Sequence, residues 1–101
     1  MKNQWFVIHT LSGQEQKVKD TLEKRLKIEE MEEYILEILV PMEKVVEIRN
    51  GKKTASNRKL YPGYVFIKMI LLDDQQRIID RPWYFIRETQ GIIGFVGGDH
   101  P

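Results

Sequence analysis

The chain has no cysteine, only two histidines and no long apolar run, and each shortage removes a class of protein. Without thiols there is neither a disulfide framework nor a thiolate metal site, which fits the cytoplasm. A bilayer span takes about 20 consecutive apolar residues. The N-terminal run Trp5-Phe6-Val7-Ile8 is too brief even for the apolar stretch of a signal peptide, and no small-residue cleavage site follows it. A soluble protein with no membrane partner is expected. His9 and His100 lie far apart, and neither has an obvious nucleophile partner. There is no Gly-x-Ser-x-Gly, no Walker-type glycine loop and no His-x-x-x-His, so hydrolase, nucleotide-binding and metalloprotease chemistry each lack their first requirement. A small phosphatase needs an anion-binding loop after its first strand, and Leu11-Ser12-Gly13-Gln14 offers no arginine for one. The adjacent acids Asp73-Asp74 read as a strand stop and helix cap rather than a cation site. No enzyme, cofactor or metal is expected.

Strong charge of one sign is also missing. Sixteen basic and fifteen acidic residues leave a net charge of +1, which argues against indiscriminate nucleic-acid binding. The distribution is uneven, however. Charged residues from Glu29 to Glu43 are all acidic, and those from Arg49 to Lys59 are all basic (Arg49, Lys52, Lys53, Arg58, Lys59). Two oppositely charged ends are expected.

What is present is enough for one domain with a single core: 101 residues, 42% of them hydrophobic and 31% charged. Trp5 to Thr10 is apolar on both alternating sets and predicts a central strand covered on both faces. Ser12 and Glu15 match a capping box. The helix that follows repeats Val18, Leu22 and Leu26 at every fourth position, with acid-before-base pairs Glu15 to Lys19, Asp20 to Lys24 and Glu23 to Lys27, and it runs to Glu29 or Glu30. Tyr34 to Val40 predicts a second strand, interrupted by Pro41 and resumed over Lys44 to Arg49. Asn50-Gly51 suits a type I′ turn, which folds Lys52 to Lys59 back as a basic hairpin arm. A strand over Tyr64 to Leu72, a short helix introduced by Asp80-Arg81-Pro82 and ended by Gly91, and a last strand over Ile92 to Val96 complete the chain. Residues 98–101 read as a linker or cut end. The order is an α+β, ferredoxin-like split β-α-β-β-α-β with an antiparallel four-stranded sheet and a basic β-hairpin extension.

Two features suggest binding. Lys52 and Lys53 in the hairpin can track phosphates, although exposed hairpins also carry lysine to discourage edge pairing. In Arg58-Lys59-Leu60-Tyr61-Pro62-Gly63-Tyr64-Val65-Phe66, a basic approach runs into a kinked aromatic turn and then a strand. Gly63-Tyr64-Val65-Phe66-Ile67 loosely matches the base-stacking strand of an RNA-recognition motif, so an autonomous RNA-binding domain of that architecture is one reading. Tyr64 and Phe66 share a sheet face, and such a pair also serves to pack beneath a helix.

Four blocks, Trp5 to Gly13, Val40 to Lys53, Arg58 to Val65 and Gly94 to Gly97, closely resemble the N-terminal domain of the bacterial NusG family of transcription elongation factors, over residues 1–97. The resemblance implies a cytoplasmic, monomeric, non-enzymatic domain. It would dock on the clamp helices of the largest RNA polymerase subunit and bridge the cleft to the second large subunit, modulating processivity, pausing, termination and antitermination. Carried over, Tyr61, Pro62, Gly63 and Tyr64 would form the polymerase-binding patch, with Phe66 and His9 beside it. Lys17 would face the upstream edge of the transcription bubble, and Arg87 and Thr89 would lie near non-template DNA. Many members have Arg-Asn-Thr-Pro-Gly where this chain has Arg87-Glu88-Thr89-Gln90-Gly91, and an acid at Glu88 should weaken that contact. The segment Gln75 to Pro82 is longer than usual. The resemblance implies that contacts to Rho or a ribosomal protein would need the family's C-terminal β-barrel, which is expected to be absent from these residues.

Overall fold

The computed structural model describes residues 2–98. The elements in chain order are β1 (Gln4–Thr10), α1 (Glu15–Ile28), β2 (Ile35–Leu39), β3 (Met42–Arg49), β4 (Lys52–Lys59), β5 (Tyr64–Met69), α2 (Asp80–Arg87) and β6 (Ile92–Phe95). Four strands form one antiparallel sheet in the order β2-β5-β1-β6, and β3 and β4 form a separate two-stranded ribbon. β1 and β2, joined through α1, lie on either side of β5, so the β-α-β unit is split. Among the described residues no helix is long and apolar enough to cross a membrane.

One face of the sheet makes the core. Phe6, Ile8 and Thr10 of β1 point the same way as Val65, Ile67 and Met69 of β5, and all six are buried with Val18 and Leu22 of α1 and Trp83, Phe85 and Ile86 of α2. The every-fourth-residue spacing of α1 supplies its buried stripe, and Pro82, accommodated in the first turn of α2, joins the covered set. Trp83 stacks on Phe95 with ring centroids 4.9 Å apart, and Phe95 meets Phe6 edge-on. Arg25 fastens the helices together: it donates to the Phe85 carbonyl at 3.2 Å and to Thr89 Oγ1 at 2.6 Å, with its guanidinium over the Phe85 ring.

Several expectations are corrected. β1 is central but covered on one face only, because both helices pack on its even-numbered side and leave Trp5 and His9 exposed. The capping box does not form: Gln14 is the N-cap of α1 and makes no side-chain cap bond, since the Glu15 carboxylate turns inward. The predicted acid-before-base pairs are replaced by Lys19–Glu23 at 3.8 Å and Arg25–Glu29 at 2.7 Å. Asp73 caps no helix. Its Oδ1 accepts from the backbone N–H groups of Gln75 and Arg77, both at 2.9 Å, and so folds the longer segment into a turn ahead of α2. Asp80 is the first residue of α2 rather than its cap, and Ile79 precedes it with no side-chain bond.

The hairpin follows the turn chemistry. Asn50 (φ 53°) and Gly51 (φ 76°) both have positive φ, as a type I′ turn requires. Its charge is less one-sided than the sequence blocks suggest, because Glu43 pairs with Arg58 and Glu47 with Arg49. The arm gives the molecule extents of 58 × 27 × 22 Å. Gly98 closes a turn on the Phe95 carbonyl at 3.0 Å. Asp99 to Pro101, including His100 and most of the proposed linker, lie outside the described residues.

Candidate functional site: an open aromatic face of the sheet

The uncovered face is built by strand alternation. Where Phe6, Ile8, Val65 and Ile67 point into the core, their neighbours Val7, His9, Tyr64 and Phe66 must point out. The register places them in rows: Leu39 beside Phe66 beside Val7, and Tyr64 beside His9 beside Gly94. Tyr64 and His9 stack with centroids 5.2 Å apart at 19°, and Tyr61 packs edge-on against Phe66 at 5.4 Å. Tyr61 is 54% exposed and Tyr64 36%. These aromatics are therefore not beneath a helix. They form a solvent-facing apolar patch that also takes in Leu39, itself 42% exposed.

The turn that presents Tyr61 is tightly held. The Tyr64 N–H donates to the Tyr61 carbonyl at 3.1 Å, with Pro62 and Gly63 between them and Gly63 at φ +86°, the arrangement of a type II turn. The Gly63 carbonyl accepts from the Thr10 N–H at 2.8 Å, and the Gly63 N–H donates to Glu15 Oε2 at 3.1 Å. Lys59 Nζ lies 3.3 Å from the same oxygen. Burial pushes the Glu15 carboxyl upward in pKa, but the backbone N–H groups of Glu15 and Gly63, with Lys59 beside them, outweigh it and hold the carboxyl below the usual glutamate range.

The residues expected to bind the polymerase thus come together: Tyr61, Pro62, Tyr64, Phe66 and His9 on the face, with Gly63 buried beneath as its hinge. The residues expected near nucleic acid do not form one group. Lys52 and Lys53 are exposed at the far end of the arm, and Lys17 is exposed on α1. Arg87 is exposed at the end of α2, its guanidinium 5.2 Å from the Trp83 ring centroid. It shares with His9, Ile93 and Gly94 a hollow of about 260 Å³ that adjoins the aromatic face. Thr89 has no surface role: it is buried, its hydroxyl donating to the Phe85 carbonyl at 3.0 Å and accepting from Arg25. The sequence pattern missed Leu39 and Val7 as members of the face and Glu15 as the support of its turn. The signal for Val7 was present in the doubly apolar β1, which marks a second binding surface as readily as a second buried one.

Comparison with known proteins agrees with this fold. The sequence model of the family described as transcription termination factor nusG matches residues 3–101. The transcription termination/antitermination proteins NusG of Neisseria meningitidis serogroup B and Thermus thermophilus are both 46% identical to this chain, over 97% and 96% of it and 51% and 52% of their own lengths. That of Halalkalibacterium halodurans is 43% identical over 96% of this chain and 51% of its own. The chain thus spans about half the length of these relatives. A solved structure showing domain interaction in Thermotoga maritima NusG superposes with a TM-score of 0.66 at 32% identity, covering 98% of this chain and 49% of that one. The four-stranded sheet, its two helices and the extent of these matches together show that this chain belongs to the NusG family of transcription termination and antitermination factors.

Proposed function

We propose that this chain, residues 1–97, is a non-enzymatic polymerase-docking domain that acts in the cytoplasm as a monomer. Its open aromatic face receives the tip of the clamp helices of the largest RNA polymerase subunit. Another edge meets the second large subunit across the cleft, and bridging the two favours processive elongation while modulating pausing, termination and antitermination. The observation that carries the reading is the convergence of Tyr61, Tyr64, Phe66 and His9 on the uncovered side of the sheet. Rigid aromatics held by a type II turn bury a large area at small entropic cost, as interface anchors do. Lys17, Lys52, Lys53 and Arg87 are exposed and add at most scattered phosphate contacts, including any to non-template DNA, consistent with the near-neutral charge.

An autonomous RNA-binding domain would use the same Tyr64 and Phe66 as a stacking platform. His9 stacks on Tyr64 and Tyr61 packs against Phe66, so part of the ring area that bases would need is occupied. A pull-down against core polymerase with and without the clamp-helix tip separates the readings. Retention that requires the tip supports docking. Equal retention by both polymerases, with salt-sensitive binding of single-stranded RNA by the isolated chain, would replace docking with the RNA reading.

A further inference from the structure

We infer that Glu15 is the positioning residue of the aromatic face: its buried carboxylate locks the Tyr61–Tyr64 turn against α1 and ties the base of the hairpin arm to the same point, so that turn and arm move as one unit. The geometry stands without the docking proposal, and the functional consequence rests on it. Glu15 is 1% exposed, and a carboxylate is buried at a large desolvation cost unless fixed partners offset it. Oε2 takes both partners, the Gly63 N–H at 3.1 Å and Lys59 Nζ at 3.3 Å, whereas Oε1 is buried with no hydrogen-bond partner among the described residues. The Gly63 N–H and Lys59 Nζ, together with the Glu15 backbone N–H, offset the cost of burying the carboxylate.

Each contact has a distinct consequence. The peptide N–H of Gly63 is held from α1 and its carbonyl from Thr10 of β1. This fixes the turn on which Tyr61 and Tyr64 stand. Lys59 is the last residue of β4 and pairs across the ribbon with Met42, the first of β3, so an ion pair to Lys59 grips the arm at its root. Among the described residues it is the one hydrogen bond or ion pair between the ribbon and the rest of the molecule. Glu15 thus joins the root of the arm to Gly63 of the turn, in addition to the covalent link from Lys59 through Leu60 to Tyr61.

Amide exchange and ring shifts of this chain, read by NMR at neutral pH and 25 °C, test the inference without any partner. In Glu15→Ala the Gly63 amide should exchange at least about tenfold faster, since its hydrogen bond is to a charged group. The Ile67 amide should be unchanged, and the His9 ring signals should lose the ring-current shift from Tyr64. Glu15→Gln keeps an acceptor but no charge and should show a several-fold acceleration; it carries the test if the alanine variant does not fold. Lys59→Met should leave Gly63 protected while the backbone of Val46 and Thr54 becomes more mobile. Unchanged Gly63 exchange and His9 shifts in every folded Glu15 variant, or an arm no more mobile in Lys59→Met, would overturn the inference. If the wild-type chain fails to bind a clamp-helix fragment while these shifts occur, docking falls and the positioning role stands. If binding is normal and the shifts are absent, only the positioning role falls.

Discussion

At the scale of single residues, Tyr64 and Glu15 divide the work between contact and support. Tyr64 is on the surface and stacks on His9, so Tyr64→Ala should cost at most about 1 kcal/mol of stability. As an interface anchor it should cost about 2 kcal/mol or more in binding, roughly thirtyfold in affinity. Thermal melting and titration calorimetry on the same sample check the two halves. Glu15 has a lowered pKa in the folded state, so its contribution to stability is fully present above the ordinary glutamate value of about 4.5. That contribution is lost as pH falls through the lower folded value. Urea melts from pH 7 to pH 3 should show a stability loss below about pH 4.5 that is smaller in Glu15→Gln, which has no proton to take up. Asp73 adds a loss of the same sign, because the Arg77 and Gln75 N–H groups hold its carboxyl low. Residue identity made the aromatic turn legible, since Pro62-Gly63 between tyrosines dictates a kink. The role of Glu15 was not, because its partners lie 44 and 48 residues away along the chain, and a local capping pattern accounted for it equally well.

At the scale of elements, the arm and the helix pair rest on different local contacts. The ribbon depends on the positive φ of Asn50 and Gly51. Replacing both with alanine should unravel the arm, broadening its NMR signals, while the amides of β1 and β5 keep their protection. The helix pair depends on Arg25, whose bonds to Phe85 and Thr89 cross from α1 to α2. Arg25→Met should destabilise the whole domain by about 2 kcal/mol in urea melts, leaving Thr89 with an unpaired hydroxyl lone pair. Gly91→Ala should cost a similar amount, about 2 kcal/mol: its φ is +93° and the new Cβ would sit 2.9 Å from Val18 Cγ2. Element positions were readable because periodicity, Asn50-Gly51 and the proline and glycine stops are local signals. The coverage of β1 was not readable, because an apolar outward set in a strand has the same spelling whether a helix or a partner covers it.

At the scale of the whole molecule, two helices cover one side of a four-stranded sheet and leave the other side to an aromatic patch, with a cationic arm extending the long axis to 58 Å. Under the docking proposal, that asymmetry supplies a firm core on one face and anchors on the other. The most direct test of this account is the affinity of the chain for a purified coiled-coil fragment of the polymerase clamp helices, compared with Tyr64→Ala under conditions where both are folded. The wild type should bind saturably, and the variant should lose roughly thirtyfold or more in affinity. Equal affinities for the two proteins, or no binding by the wild type, would contradict it.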